Sequence, residues 1–194
     1  MHGYASHRAL SLVGPLYQGT NTFENPVLFI DGGAEFRHAD EGLSVGDGDS
    51  FVGKLDETLD RHKNYSDLAY ALASIPAHFY EIHLHGFLGG RRDHEWVNIG
   101  EAAAFLKHRH QTTQLHFDSA FTGFSAGQWQ LEINGTFSVL CIESAKITLT
   151  GECEYPLSIE TQIEPLSSHG LSNVGSGVMQ LKNDEPVFVV FQVD

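Results

Sequence analysis

The sequence predicts an α/β domain with a mainly parallel sheet, followed by an antiparallel β-sandwich. Two observations carry this. Over residues 8–112 short apolar strands alternate with helical stretches, the pattern of a parallel sheet with helical crossovers. From about Leu115 onward strand-like segments follow one another with no amphipathic stretch of helix length. A length of 194 residues suits one large domain or two small ones, and the change of pattern divides it into 1–112 and 113–194, with the linker near 109–118.

In the first half, Leu10–Val13 and Val27–Ile30 are short apolar runs ending in Gly or in Asp-Gly-Gly, and both predict buried strands. Leu43–Val45 and Tyr80–His85 predict two more. Leu68, Leu72 and Ile75 recur at helical spacing behind Ser66, so Ser66–Ile75 predicts a helix with Ser66 as N-cap. Glu95–Lys107 predicts a second helix, with Val97, Ala104 and Phe105 as core positions. Gly14 to Pro26 holds two Gly and two Pro without helical periodicity, so this connection predicts a loop. In the second half the expected strands are Gln128–Ile133, Thr136–Ile142, Lys146–Thr150, Gly177–Leu181 and Val187–Val193. Asn134-Gly135 between the first two predicts a hairpin.

The chain carries 25 Asp and Glu against 11 Lys and Arg, a formal net charge of −14. Such a surface repels phosphate backbones and argues against nucleic acid as a partner, while it suits a cationic ligand or a metal ion. No apolar run approaches the roughly 20 residues that span a membrane. Met1 to Pro15 has one short apolar patch and no clear cleavage signal, and reads as a first strand and not a signal peptide. Two cysteines, Cys141 and Cys153, form no CxxC pair, which favours a reducing, cytoplasmic setting.

Chemistry concentrates in an aspartate series at element ends. Asp31-Gly32-Gly33 follows Val27–Ile30. Gly46-Asp47-Gly48-Asp49-Ser50 follows Leu43–Val45. Asp67 opens the first helix, and Asp93 closes the run Gly89-Gly90-Arg91-Arg92-Asp93 just past Tyr80–His85. Ligands of open α/β sheets bind outside the carboxyl ends of the strands, so these motifs converge on one edge. Clustered carboxylates are costly unless a cation holds them, and magnesium takes a few carboxylates together with phosphate oxygens and water. Glycines beside them let backbone approach phosphate closely. Turn formation explains any one Asp-Gly pair, but four such motifs at consecutive element ends ask for more.

Three other patterns fail. Gly48 to Lys54 nearly matches a P-loop, but Leu55 supplies no hydroxyl for magnesium. Asp47-Gly48-Asp49 begins like a calcium loop, but the turn glycine falls on Val52 and the final acid on Thr58. His83 and His85 share one strand face, and His108 and His110 lie near a helix end. No third zinc ligand stands at a recognisable spacing.

In order and spacing these motifs resemble the thiamine pyrophosphokinase family along nearly the whole chain. The family's Asp-Gly-Gly-Ala is similar to Asp31–Ala34, and its Gly-Asp-Phe-Asp-Ser to Gly46–Ser50 with Gly48 for the aromatic residue. Its Thr-Asp helix start is similar to Ser66-Asp67, and its Gly-Gly-Arg-x-Asp-His with a following Asn to Gly89–His94 and Asn98. A Tyr-Pro-Leu segment resembles Tyr155–Leu157, and Gly-x-Ser-Asn resembles Gly170–Asn173. The resemblance implies a homodimer that transfers diphosphate from ATP to thiamine with magnesium. It implies that Asp47, Asp49 and Asp67 hold the metal, with Asp93 also catalytic. Asp31, Gly32, Gly33, Ser50, Gly89, Gly90 and Arg91 would face ATP. Tyr155, Ser172 and Asn173 would face thiamine, between one chain's α/β domain and its partner's β-domain.

The chain departs from the family pattern in the missing first crossover helix, and in Asn64, Ala69 and Val174 where acids are common. These changes remove charge around the nucleotide and the acceptor. A sister enzyme acting on another small alcohol, such as a hydroxymethylpterin, would keep the aspartates and change the Tyr155 region. A non-catalytic thiamine or nucleotide binder would tolerate loss of Asp49 or Asp67, and both are present.

Overall fold

A computed structural model describes residues 8–19, 22–38 and 41–192. Its contacts divide the chain into two compact units, Met1–Phe105 and Leu106–Asp194.

In the first unit, β1 (Ala9–Val13), β2 (Val27–Ile30), β3 (Leu43–Gly46), β4 (Glu57–Thr58) and β5 (Glu81–His85) form a parallel sheet in the order β5-β1-β2-β3-β4. Leu12, Phe29, Ile82 and Leu84 are wholly buried on it, as expected of strands covered on both faces. The connection from β1 to β2 contains no helix among its described residues. A 3-10 helix, Asp31–Phe36, follows β2 directly.

Helix α1 (Asp67–Ala73) starts where the sequence predicts. Ser66 is its N-cap, and the Ser66 hydroxyl accepts from the Ala69 N–H at 3.0 Å. Leu68, Leu72 and Ile75 are all buried. Helix α2 (Arg92–Lys107) starts three residues earlier than expected, and its buried face differs too. Val97 is 51% exposed and Ala104 is also exposed, while Ala102 and Leu106 are buried. Four consecutive small or apolar residues, Ala102 to Phe105, leave the apolar stripe ill-defined, and packing chooses the Ala102–Leu106 register. The helix ends at Lys107, and the next strand begins at Gln114.

The second unit comprises β6 (Gln114–Phe117), β7 (Phe121–Phe124), β8 (Gly127–Leu140), β9 (Ala145–Cys153), β10 (Leu157–Ile163), β11 (Asn173–Asn183) and β12 (Val187–Phe191). Every pairing among them is antiparallel. The expected two-sheet sandwich is replaced by a single hydrogen-bonded order, β10-β9-β11-β8-β12-β7-β6. Phe124 of β7 and Ile163 of β10, near opposite ends of that order, share one core with Phe137, Ile147, Met179 and Val189. The sheet therefore curls around its core.

The predicted hairpin at Asn134-Gly135 does not form. Both residues lie inside β8, paired with Ser176 and Gly175 of β11. The residues before them pair with β11, and those after them also pair with β12, so one long strand spans the curl. Gly135 has φ +114°, and a Cβ on Gly175 would lie 2.5 Å from the Ile133 carbonyl oxygen. The glycines serve close strand packing and curvature here, not a turn. Val193, the end of the last expected strand, lies outside the described residues.

Candidate functional site

The carboxyl ends of β2 and β3 are neighbours, with Ile30 paired to Val45. Asp31 leaves the first and Asp47 the second, and Asp67 is the first residue of α1. One carboxylate oxygen from each of Asp31, Asp47 and Asp67 lies within 4.8 Å of the others. A Cβ on Gly46 would stand 2.9 Å from the Asp31 Cα, so only glycine allows these strand ends to approach so closely.

Asp31 is the most constrained member. It is 8% exposed, its φ is +48°, and its Oδ1 is buried with no hydrogen-bond partner. A non-glycine residue in the left-handed region is a strained conformation of the kind found at functional sites. Burial pushes its carboxyl above the ordinary aspartate range. A hydrogen bond with Ser50 opposes this, and the charges of Asp49 and Asp67 add to it. Asp49 thus joins the cluster beside Asp31, and its own carboxylate accepts from the Ser50 hydroxyl at 2.8 Å. The structure gathers Asp31, Asp47 and Asp67 most tightly, whereas the motif reading groups Asp47, Asp49 and Asp67.

A cation already sits in this cluster. Lys63 Nζ lies 2.7 Å from Asp47 Oδ2 and 3.0 Å from Asp67 Oδ1. The Lys63 hydrogen bond holds the Asp47 carboxyl below its ordinary range. Burial opposes the charge on Lys63, but its bonds to Asp47 and Asp67 outweigh that and raise its pKa. Arg61 donates to the carbonyls of Asp47 and Gly48, at 3.3 and 3.0 Å, and so braces the loop backbone. Sequence motifs gave no hint of Lys63; the available signal was its position four residues before Asp67.

Gly32 lies against Ser50. Beyond β5, the Gly89 N–H donates to the Glu95 carboxylate, and Asn98 Nδ2 donates to the Phe87 carbonyl at 2.9 Å. Gly90 packs beside Leu16. The exposed Arg91 guanidinium is paired in two-pronged fashion with Asp93, whose carboxyl is lowered by that bond. His83 and His85 stack at 6.2 Å between centroids, and burial lowers the pKa of His83.

In the second unit a cavity of about 260 Å³ opens beside Tyr155. Its lining is chiefly apolar, including Val139, Ile147, Leu149 and Leu171, with His169 and Asn173 as polar members. Asn173 is buried, and both its amide oxygen and its amide nitrogen are bonded to backbone. Oδ1 accepts from the Tyr155 N–H at 3.0 Å and the Val174 N–H at 2.8 Å, and Nδ2 donates to the Tyr155 carbonyl at 2.8 Å. Asn173 therefore holds the Tyr155 segment in place, and the Tyr155 side chain stays 59% exposed. Ser172 has φ +58°, and its N–H donates to the Ser138 hydroxyl.

With this geometry in view, the solved structures decide the fold. Thiamine pyrophosphokinase from Bacillus subtilis superposes with a TM-score of 0.72 at 18% identity, covering 96% of this chain and 99% of that one. The chain has the thiamine pyrophosphokinase fold. The enzyme from Candida albicans gives a TM-score of 0.70 at 13% identity over 97% and 90% of the two chains. That from Geobacillus thermodenitrificans gives 0.67 at 19% identity over 96% and 98%. No protein-family model and no curated protein sequence matches the chain. At such identities the likeness is one of fold, and the chemistry rests on the residues themselves.

Proposed function

We propose that this protein is a thiamine diphosphokinase, moving the terminal diphosphate of ATP to the hydroxyl of thiamine and releasing AMP. The observation that carries the reading is the meeting of Asp31, Asp47 and Asp67 at adjacent strand ends, in a fold shared with thiamine pyrophosphokinases. The residues suit magnesium: three carboxylates converge, and the buried Asp31 Oδ1 lacks any partner. Asp31, Asp47 and Asp67, with Asp49 beside them, would hold the ion, which when bound supplies charge neutralisation to the polyphosphate and activates its phosphorus.

The chain's own groups do the rest. In this reading residues 1–112 form the nucleotide and metal domain and 113–194 the thiamine domain. Gly89, with open space beside its Cα, lets backbone approach the nucleotide, while Gly32, Gly33 and Gly90 pack the strand-end loops closely and Ser50 lines them; Arg91 turns from Asp93 to a phosphate. One carboxylate of the cluster takes the proton from the attacking hydroxyl as AMP leaves on the opposite side. Asp93 orients Arg91 until the nucleotide arrives.

On the acceptor side, the cavity beside Tyr155 lies just under the roughly 300 Å³ at which drug-sized pockets begin. That size suits one ring of a ligand more than a whole one. The Tyr155 face offers stacking and cation–π attraction to a flat, positively charged heterocycle. A net charge of −14 favours the same cation. The protein works as a homodimer, each site joining one chain's aspartates to its partner's Tyr155 pocket.

The test is AMP release from ATP and magnesium with a panel of acceptor alcohols. Thiamine should exceed hydroxymethylpterin and simple alcohols by about a hundredfold in kcat/KM, the order of discrimination that fit to a chiefly apolar pocket supplies. A preference for another alcohol would replace thiamine in this reading and leave diphosphotransfer standing.

A further inference from the structure

We propose that Lys63 is a built-in counter-cation of the aspartate site. In the free protein its ammonium holds the place that a divalent ion would take, so the site binds metal weakly until an anion draws the ammonium away. This inference rests on the reading of the cluster as a metal site.

The geometry is specific. The Lys63 side chain is 7% exposed, and its ammonium is shared between Asp47 and Asp67, each 15% exposed in its side chain. Those two carboxylates complete the triad with Asp31, whose buried Oδ1 is unpartnered and lies within 4.8 Å of their oxygens. An ion bound to the triad would compete with the ammonium for the same oxygens, and two such cations repel strongly where water is largely excluded. Arg61 cannot substitute, because its guanidinium is engaged with backbone carbonyls.

Residue type matters as well. Lysine is a compact charge on a flexible four-carbon stem, able to leave one partner for another, whereas a guanidinium prefers a fixed planar fork. Lys63 closes a turn, its N–H donating to the Asp60 carbonyl, so its stem starts from a held backbone. A polyphosphate arriving at the strand ends gives the ammonium a new partner and frees Asp47 and Asp67 together. Metal and nucleotide affinities then rise together, each favouring the other by the same factor.

The experiment titrates Mn²⁺ as the probe into the full chain without nucleotide, following free Mn²⁺ by electron paramagnetic resonance at fixed ionic strength. Lys63→Met should bind Mn²⁺ about tenfold or more tightly than the unmodified protein, because a partly buried like charge has been removed. Lys63→Arg keeps the charge and should stay near the unmodified affinity. Equal or weaker binding by folded Lys63→Met overturns the proposal, as does tightening by Lys63→Arg to the same degree. If Lys63→Met is unfolded without metal, Mn²⁺ should restore its cooperative thermal transition, and no recovery overturns the proposal equally. Binding that Asp47→Asn abolishes but Lys63→Met leaves unchanged sinks the role of Lys63 alone. Absence of Mn²⁺ binding in every variant, with or without a non-hydrolysable ATP analogue, removes the metal site itself.

Discussion

Asp49 and Asn173 show how differently two motif residues work. Asp49 adds negative charge beside the already buried Asp31, so Asp49→Asn relieves repulsion in the free protein. Its thermal midpoint should hold or rise, while kcat falls by at least about a hundredfold through loss of charge stabilisation in the transition state. Turnover near the unmodified rate would contradict a catalytic Asp49. Asn173 carries its load through the backbone. Asn173→Ala strands the Tyr155 N–H and carbonyl, a cost of about 1–3 kcal/mol if both become buried without partners. Chemical denaturation should register that loss, and thiamine KM should rise more than kcat falls. The aspartates were legible in sequence because a strand end is a local feature: Asp31 and Asp47 each follow a short apolar run. Lys63 was not legible, because its role depends on a side chain crossing to strand ends from a separate loop.

At the scale of elements, α1 was the easiest to read and β8 the hardest. Ser66, Leu68, Leu72 and Ile75 mark α1 by cap and period alone. Asn134-Gly135 carries a hairpin signal, yet long-range pairing with β11 overrides it. The cap of α1 also has a second partner that no motif announces. The Ser66 hydroxyl donates to Glu101 of α2 at 2.6 Å, and burial raises the Glu101 pKa above the ordinary value of about 4.3. The folded state therefore binds this proton more tightly than the unfolded chain does. Its stabilising contribution is present below the ordinary glutamate pKa and is lost as pH rises through the raised folded value. Glu101→Gln removes that dependence. The difference in thermal midpoint, variant minus unmodified protein, should grow from pH 4 toward pH 8. A difference independent of pH would show that Glu101 has the same pKa in the folded and unfolded states, and would contradict the raised value.

For the molecule as a whole, the order of an α/β half and then a β half was visible in the change of periodicity near Leu115. The curl of the second sheet was not, since it depends on which partners β8 takes along its length. The proposed sharing of sites between chains has its own test. Asp49→Asn and Asn173→Ala are mixed equally while subunits exchange, at a thiamine concentration low enough that each variant alone is nearly inactive. Half the dimers become mixed and carry one intact site each, so activity should recover to roughly a quarter. No recovery, with exchange shown independently, would place each site within one chain. The central claim of diphosphoryl transfer is tested most directly by the identity of the products. With ATP, magnesium and thiamine, ³¹P nuclear magnetic resonance should show AMP and thiamine diphosphate rising in equal amounts. ADP with thiamine monophosphate, or no thiamine-dependent loss of ATP, would contradict it.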